Sequence, residues 1–147
     1  MWDPTSGTSP YSTGYCIRCS GNTINETLYW ENVLIDNCSF KNGYAPCVFS
    51  NEYVNLTMNN CYINDSYGIY INKSSNKVDL NNIKYNSNYD WTAFTTGGIS
   101  EEENPVIDIN INNCTFFGGI DIYGIMPSPI YNINISNSYI VGKIIIF

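Results

Sequence analysis

Between Asn55 and Ile63 the chain reads NLTMNNCYI, with apolar Leu56, Met58, Cys61 and Ile63 set apart by polar residues. The alternation has period two on either side of Asn59 and Asn60, where two consecutive polar residues interrupt it. Alternation predicts a strand with one buried face. The Asn pair predicts a tight bend, because Asn tolerates the left-handed backbone conformation better than most residues. The segment therefore reads as strand, one-residue corner, strand.

The segment recurs. Setting Asn37, Asn60, Asn82, Asn113 and Asn137 in one column aligns five copies. Four places earlier stand Val33, Leu56, Val78, Ile109 and Ile133, and two places earlier Ile35, Met58, Leu80, Ile111 and Ile135. One place later come Cys38, Cys61, Ile83, Cys114 and Ser138, and three places later Phe40, Ile63, Tyr85, Phe116 and Ile140. These four columns are predicted to point inward. The column Asn residues are 23, 22, 31 and 24 residues apart. A strand pattern with a period of this size is the signature of a solenoid. The expected fold is all-β, a β-helix of about five to six short turns stacked at the inter-strand spacing of about 4.8 Å. Asn stacked on Asn predicts a side-chain amide ladder, so the five column Asn residues are assigned a structural role.

Two copies carry a more specific likeness. DNCSFKNGYA (36–45) and NNCTFFGGI (112–120) place an aromatic residue and then Asn-Gly or Gly-Gly after the corner. They resemble repeats of polymorphic outer-membrane-protein type adhesins, and the five copies together resemble the right-handed parallel β-helix of the pectin-lyase-like superfamily. The resemblance covers about residues 28–147. It implies a right-handed helix. The superfamily's enzymes act on acidic polysaccharides through clustered Asp residues, or through calcium with a basic proton acceptor.

The rest of the chain divides around this repeat. Residues 1–27 read as an irregular leader, rich in Pro, Gly, Ser and Thr, with a partial N-terminal turn; 28–147 form the β-helix. The long 31-residue spacing predicts a side insertion at about 88–105 that holds Trp91, Phe94 and the run Glu101, Glu102, Glu103. Residues 1–4 (MWDP) lack the basic start and apolar run of a secretion signal. No apolar stretch reaches the roughly 20 residues of a membrane span. A mature chain, or a piece of a longer one, is therefore expected.

Charge narrows the chemistry. The net charge is −7, charged residues make up 13%, and there is no His. Phosphate-backbone binding needs clustered Lys and Arg, and the six basic residues here are scattered. Nucleic acid is excluded as a partner on that ground. Acid–base hydrolysis needs two carboxylates about 5–10 Å apart. Asp79 and Asp108 occupy nearby outward positions on adjacent turns, but read better as solvated acids. The Glu run diverges in direction and lacks the spaced ligands of a calcium loop. Cys16 and Cys19 form a single CxxC with no second pair, read as a local disulfide or packing residues before zinc. Cys38, Cys61 and Cys114 read as small inward fillers, with a Cys38–Cys61 disulfide within geometric reach. No catalytic residue, metal or cofactor is expected.

Binding is the better expectation. Trp91 and Phe94, with outward Tyr62 and Tyr139, are the candidate contacts to a glycan or protein partner, since aromatic faces stack on sugars and anchor interfaces. The alternative for Trp91 and Phe94 is to fold back over the insertion's base. Acceptor patterns Asn-X-Ser/Thr make Asn64 and Asn72, then Asn25, Asn55 and Asn134, candidate glycosylation sites. Asn37 and Asn113 carry the same pattern but belong to the ladder. GKIIIF (142–147) leaves an apolar strand at the end of the stack, which predicts either a missing remainder of a longer domain or end-to-end association with a second copy or another surface protein. The function expected is a non-catalytic extracellular or cell-surface structural or adhesive module. The alternative is a carbohydrate-active β-helix enzyme or a decayed relative of one.

Overall fold

The computed structural model describes residues 17–19, 22–24, 27–29, 31–43, 46–50, 54–71, 77–88, 91–97, 106–122 and 130–146. β1 (Ile17–Cys19) is followed by β2 (Asn22–Ile24) and β3 (Thr27–Tyr29), which pair antiparallel. Then come five rungs of three strands each. They are β4 (Glu31–Asp36), β5 (Ser39–Lys41) and β6 (Pro46–Ser50); β7 (Val54–Asn59), β8 (Tyr62–Asn64) and β9 (Tyr67–Ile71); β10 (Lys77–Asn81), β11 (Lys84–Asn86) and β12 (Phe94–Thr96). β13 (Val106–Asn112), β14 (Thr115–Phe117) and β15 (Ile120–Ile122) make the fourth, and β16 (Ile130–Ser136), β17 (Tyr139–Val141) and β18 (Ile144–Ile146) the fifth.

Each strand pairs in parallel with its counterpart one rung away, giving sheets ordered β4-β7-β10-β13-β16, β5-β8-β11-β14-β17 and β1-β6-β9-β12-β15-β18. The fold is a parallel β-solenoid, with no helix among the described residues. About four turns are completed, fewer than the five to six expected. Among the described residues before β4 only β1 joins the stack, because β2 and β3 pair with each other; the first full rung described begins at Glu31.

The one-residue corner is present in all five copies. Asn37, Asn60, Asn82, Asn113 and Asn137 have φ of 53°, 54°, 54°, 54° and 50°, a region that costs other L-residues roughly 1–2 kcal/mol. Backbone pairing runs straight through the bend: Asn60 N donates to Asn81 O and Lys84 N to Cys61 O, at 3.0 and 2.9 Å. A second corner follows five residues later, where Asn42 and Asp65 also have positive φ, 57° and 48°.

The amide ladder is shared between two columns. Asn82 Nδ2 donates to Asn60 Oδ1 at 2.8 Å, and Asn60 Nδ2 to Asp36 Oδ1 at 3.0 Å. Beside it Asn81 Nδ2 donates to Asn59 Oδ1 at 3.0 Å, while Asn137 Nδ2 crosses to Asn112 Oδ1 at 3.2 Å. Asn37 and Asn113 contribute through their backbone, each N–H donating to the next turn at 3.0 and 3.1 Å. In each of these amide pairs the donor stands on the later turn.

Inside, the predicted columns stack. Leu56, Val78 and Ile109 are buried above one another, as are Met58, Leu80 and Ile111, and Ile63, Tyr85 and Phe116. The Cys column does more than fill space. Cys38, Cys61 and Cys114 Sγ donate to the carbonyls of Asp36, Asn59 and Asn112 at 3.3, 3.1 and 3.3 Å, and Ser138 Oγ does the same to Ser136 O at 2.7 Å. Each side chain thus bonds the carbonyl two residues back, on the strand leading into the corner, which explains why Ser substitutes for Cys. Ile83 fills the same column without that bond. Cys38 is half-buried, and Cys38 and Cys61 are free thiols rather than a disulfide.

The two ends differ. Ile35 and Phe40 on the first rung are buried, whereas Ile144 and Ile146 on the last are 48% and 57% exposed. Their register partners Ile120 and Ile122 are fully buried.

Candidate functional site

The outward carboxylates are the first place to look for chemistry. Asp79 and Asp108 do not face each other: the register sets Asp79 beside Asn110 and Asp108 beside Lys77. Asp79 Oδ1 accepts from Asn110 Nδ2 at 2.9 Å and its Oδ2 pairs with Lys77 Nζ at 2.8 Å. That contact raises the Lys77 pKa through its hydrogen bond and charge. Asp108 Oδ1 accepts from Asn132 Nδ2 at 2.7 Å. Asp36, Asp65 and Asp121 likewise accept from Asn60, Asn88 and Thr92 on a neighbouring turn. All five described aspartates are therefore inter-turn acceptors. Among the described residues no three His, Cys, Asp or Glu side chains gather as metal ligands, and no helix is long and apolar enough to cross a membrane. Glu101, Glu102, Glu103 and Cys16 lie outside the described residues.

The four aromatic candidates separate. Phe94 is a correction: it is fully buried on β12, in register with Ile69 and Ile120, and serves the core rather than a partner. β12 lies within the span 88–105 and splits it, so Phe94–Thr96 is the third strand of its rung instead of part of a side loop. Tyr62 is exposed on the β5–β17 sheet, its hydroxyl donating to Asn64 Oδ1 at 3.1 Å. Tyr139 is exposed on the same sheet and meets Phe117 edge to face, ring centroids 6.2 Å apart. Trp91 is half-buried and stacks on Tyr67, with centroids 4.1 Å apart and planes at 14°.

Local backbone explains that stack. Residues 92 and 93 pass directly over Gly68, where an added Cβ would collide with the backbone carbonyls of Thr92 and Ala93. Ile69 N donates to Ala93 O at 2.9 Å, which holds the connector against β9. Only glycine leaves room for the crossing, and the crossing brings Trp91 to Tyr67.

Two grooves open on either side of this connector. One of about 590 Å³ is lined by Trp91, Phe117, Asp121, Val141 and Lys143 among others. The second, about 300 Å³, is lined by Tyr67, Tyr70, Thr95 and Gly97 among others. Thr92 and Asp121 line both, and Thr92 Oγ1 donates to Asp121 Oδ2 at 3.3 Å. Of these residues only Trp91 stood among the sequence candidates. Phe117 carried a readable signal, an aromatic residue in an outward column. Asp121 and Lys143 carried none.

Of the candidate acceptor sites, Asn134 is exposed on β16 and Asn55 is half-buried with its Nδ2 donating to Asn32 Oδ1 at 3.0 Å. Asn64 is half-buried and its Nδ2 donates to Asp65 Oδ2 at 3.0 Å. Asn25 and Asn72 lie outside the described residues. Comparison with protein-family models, with curated proteins and with solved structures finds no match for this chain.

Proposed function

We propose that this chain is a non-catalytic structural and adhesive β-solenoid module that works outside the cell or at its surface. One observation carries the reading: all five described aspartates are held as acceptors between turns. Side chains that a hydrolase keeps free to move protons are here fastened into the wall of a rod. The kinship with pectin-lyase-like and adhesin-type repeats belongs to the same proposal, and so does glycosylation, for which exposed Asn134 is the better presented acceptor. The test is incubation with polygalacturonate and with neutral polysaccharides, each with and without calcium, followed for new reducing ends and unsaturated products. No product above a heat-inactivated control is expected. Product release that scales with protein concentration overturns the reading in favour of a carbohydrate-active enzyme.

The same rod is proposed to associate end to end. Exposed Ile144 and Ile146 offer an apolar contact, and the common direction of the amide ladders lets a copy stacked in the same sense supply donors to the last rung's acceptors. Light scattering across concentration should show growth that Ile144→Lys with Ile146→Lys abolishes. A wild-type chain that stays monomeric at millimolar concentration contradicts it.

A further inference from the structure

We propose that the two grooves beside the Trp91–Tyr67 stack are one continuous track for a neutral oligosaccharide, lying along the solenoid axis. The inference rests on the non-catalytic adhesive reading and names the class of ligand that such a module would hold.

Continuity comes first. The grooves share Thr92 and Asp121, so nothing separates them but a hydrogen-bonded pair at their junction. Tyr70 stands on the second rung, Thr95 on the third, Asp121 on the fourth and Ile145 on the fifth, successive register partners on one sheet. Three inter-strand steps span about 14 Å, a length that suits a short chain of sugar rings better than one ring. The volume of the larger groove falls within the roughly 300–1,000 Å³ of ordinary small-ligand sites.

Composition then selects the ligand. A pyranose ring has an apolar C–H face and a rim of hydroxyls that both donate and accept. Trp91 and Phe117 on one groove and Tyr67 on the other supply aromatic surface for the face. The Trp91–Tyr67 pair is already stacked, so less ordering entropy is lost on binding. For the rim, Asp121 is fixed through Oδ2 by Thr92, and among the described residues Oδ1 has no partner. Lys143 is exposed and makes no ion pair among the described residues. A separate acceptor and donor on one groove match hydroxyls, which need both.

Other ligands fit less well. A polyanion would lay its charges across Asp121 at the centre of the track, on a chain of net charge −7. A peptide docking by strand addition needs an unpaired sheet edge, and the edges of this sheet are β1 and β18 at the ends of the stack, not along its face.

The test is isothermal titration calorimetry of the whole chain against cellohexaose, maltohexaose, laminarihexaose and chitohexaose, with hexagalacturonate as the acidic arm. At least one neutral hexasaccharide is expected to bind with a Kd tighter than about 1 mM. Phe117→Ala and Lys143→Ala, both at exposed positions, should weaken it at least about fivefold, and Trp91→Ala at least about tenfold. Tyr62→Ala, on the neighbouring sheet and outside both grooves, should leave it unchanged. Circular dichroism checks that each variant keeps its β signal; if Trp91→Ala unfolds, the Phe117 and Lys143 variants decide. Absence of binding by every neutral hexasaccharide overturns the proposal, as do wild-type affinities in those two variants or a preference for hexagalacturonate. Mass spectrometry of the recovered sugar separates the two readings: binding with cleavage would sink the non-catalytic function while leaving the track in place.

Discussion

Ile111→Asp is the perturbation with the largest expected effect. Ile111 is fully buried on β13, in register with Leu80 on one side and Ile135 on the other. Truncation to Ala removes the transfer free energy of the lost carbons and leaves a cavity that the strands above and below hold open, about 2–5 kcal/mol. A carboxyl group there has no hydrogen-bond partner in the column, which adds roughly 2–7 kcal/mol. The sum is comparable to the whole stability of a typical domain, about 5–15 kcal/mol. Because each rung is stabilised mainly by its neighbours, the loss is shared by the third and fifth rungs. Ile111→Asp should therefore be unfolded at room temperature, and Ile111→Ala folded but weakened within the range above. Two controls set the scale. Asn110→Ala, the adjacent outward position, loses one ladder bond to Asp79, about 0.5–1.5 kcal/mol. Ile135→Ala lies in the same column but is only half-buried on the last rung, so it should cost less than Ile111→Ala. Urea denaturation followed by circular dichroism measures all four. A wild-type midpoint in Ile111→Asp, or an Ile111→Ala loss no larger than that of Asn110→Ala, refutes the inward assignment.

Three further outcomes follow from the same structure. Asn82→Ala should cost roughly 1–3 kcal/mol, because it places a Cβ-bearing residue without a local polar side chain at φ 54° and removes the 2.8 Å bond to Asn60; Asn82→Gly should cost less, and urea midpoints in the reverse order would contradict the corner. Burial pushes the Tyr85 phenol up to about 12, with Ser87 opposing part of the rise. An unfolded chain ionises that phenol near 10, so the neutral form's contribution is intact below about pH 10 and is lost between about 10 and 12; wild type should lose stability over that window more steeply than Tyr85→Phe, and parallel curves would count against it. Burial also pushes the Cys61 and Cys114 thiols up, so both should resist a thiol reagent at pH 8 in the native protein and react in urea; mass mapping that finds them labelled as fast in the native state would contradict their inward placement.

Much of this solenoid was legible because its corners use a residue that announces them. Asn at φ near 54° and inward apolar residues two and four places before it repeat at a rung's length, through all five rungs. A second corner is marked in the same way: Asn42, Asp65, Ser87, Gly118 and Gly142 stand five places after the first corner in each copy, and all are turn formers. The third strand of each rung was harder to place, since the connectors leading to it and from it differ in length from rung to rung. Phe94 is hidden for that reason: near Trp91 and between turn residues it looks like a loop aromatic, while the period that would mark it as core is broken on both sides. β2 and β3 follow no repeat at all. The grooves were not legible, because they form where different rungs meet in space: Trp91 from the connector before β12, Asp121 from strand β15 and Lys143 from the connector before β18.

The stacking register is the claim on which everything else rests, and a spin-pair distance tests it most directly. Leu34 and Asn134 are both exposed and belong to one outward column, linked through Thr57, Asp79 and Asn110 by four successive pairings. Four inter-strand steps put their Cα atoms about 19 Å apart, although they stand 100 positions apart along the chain. With bio-orthogonal spin labels at both positions, pulsed electron resonance should give a single narrow distribution centred near that value, broadened only by the reach of the labels. A broad distribution, or a centre beyond about twice that distance, would mean that the rungs do not stack as described.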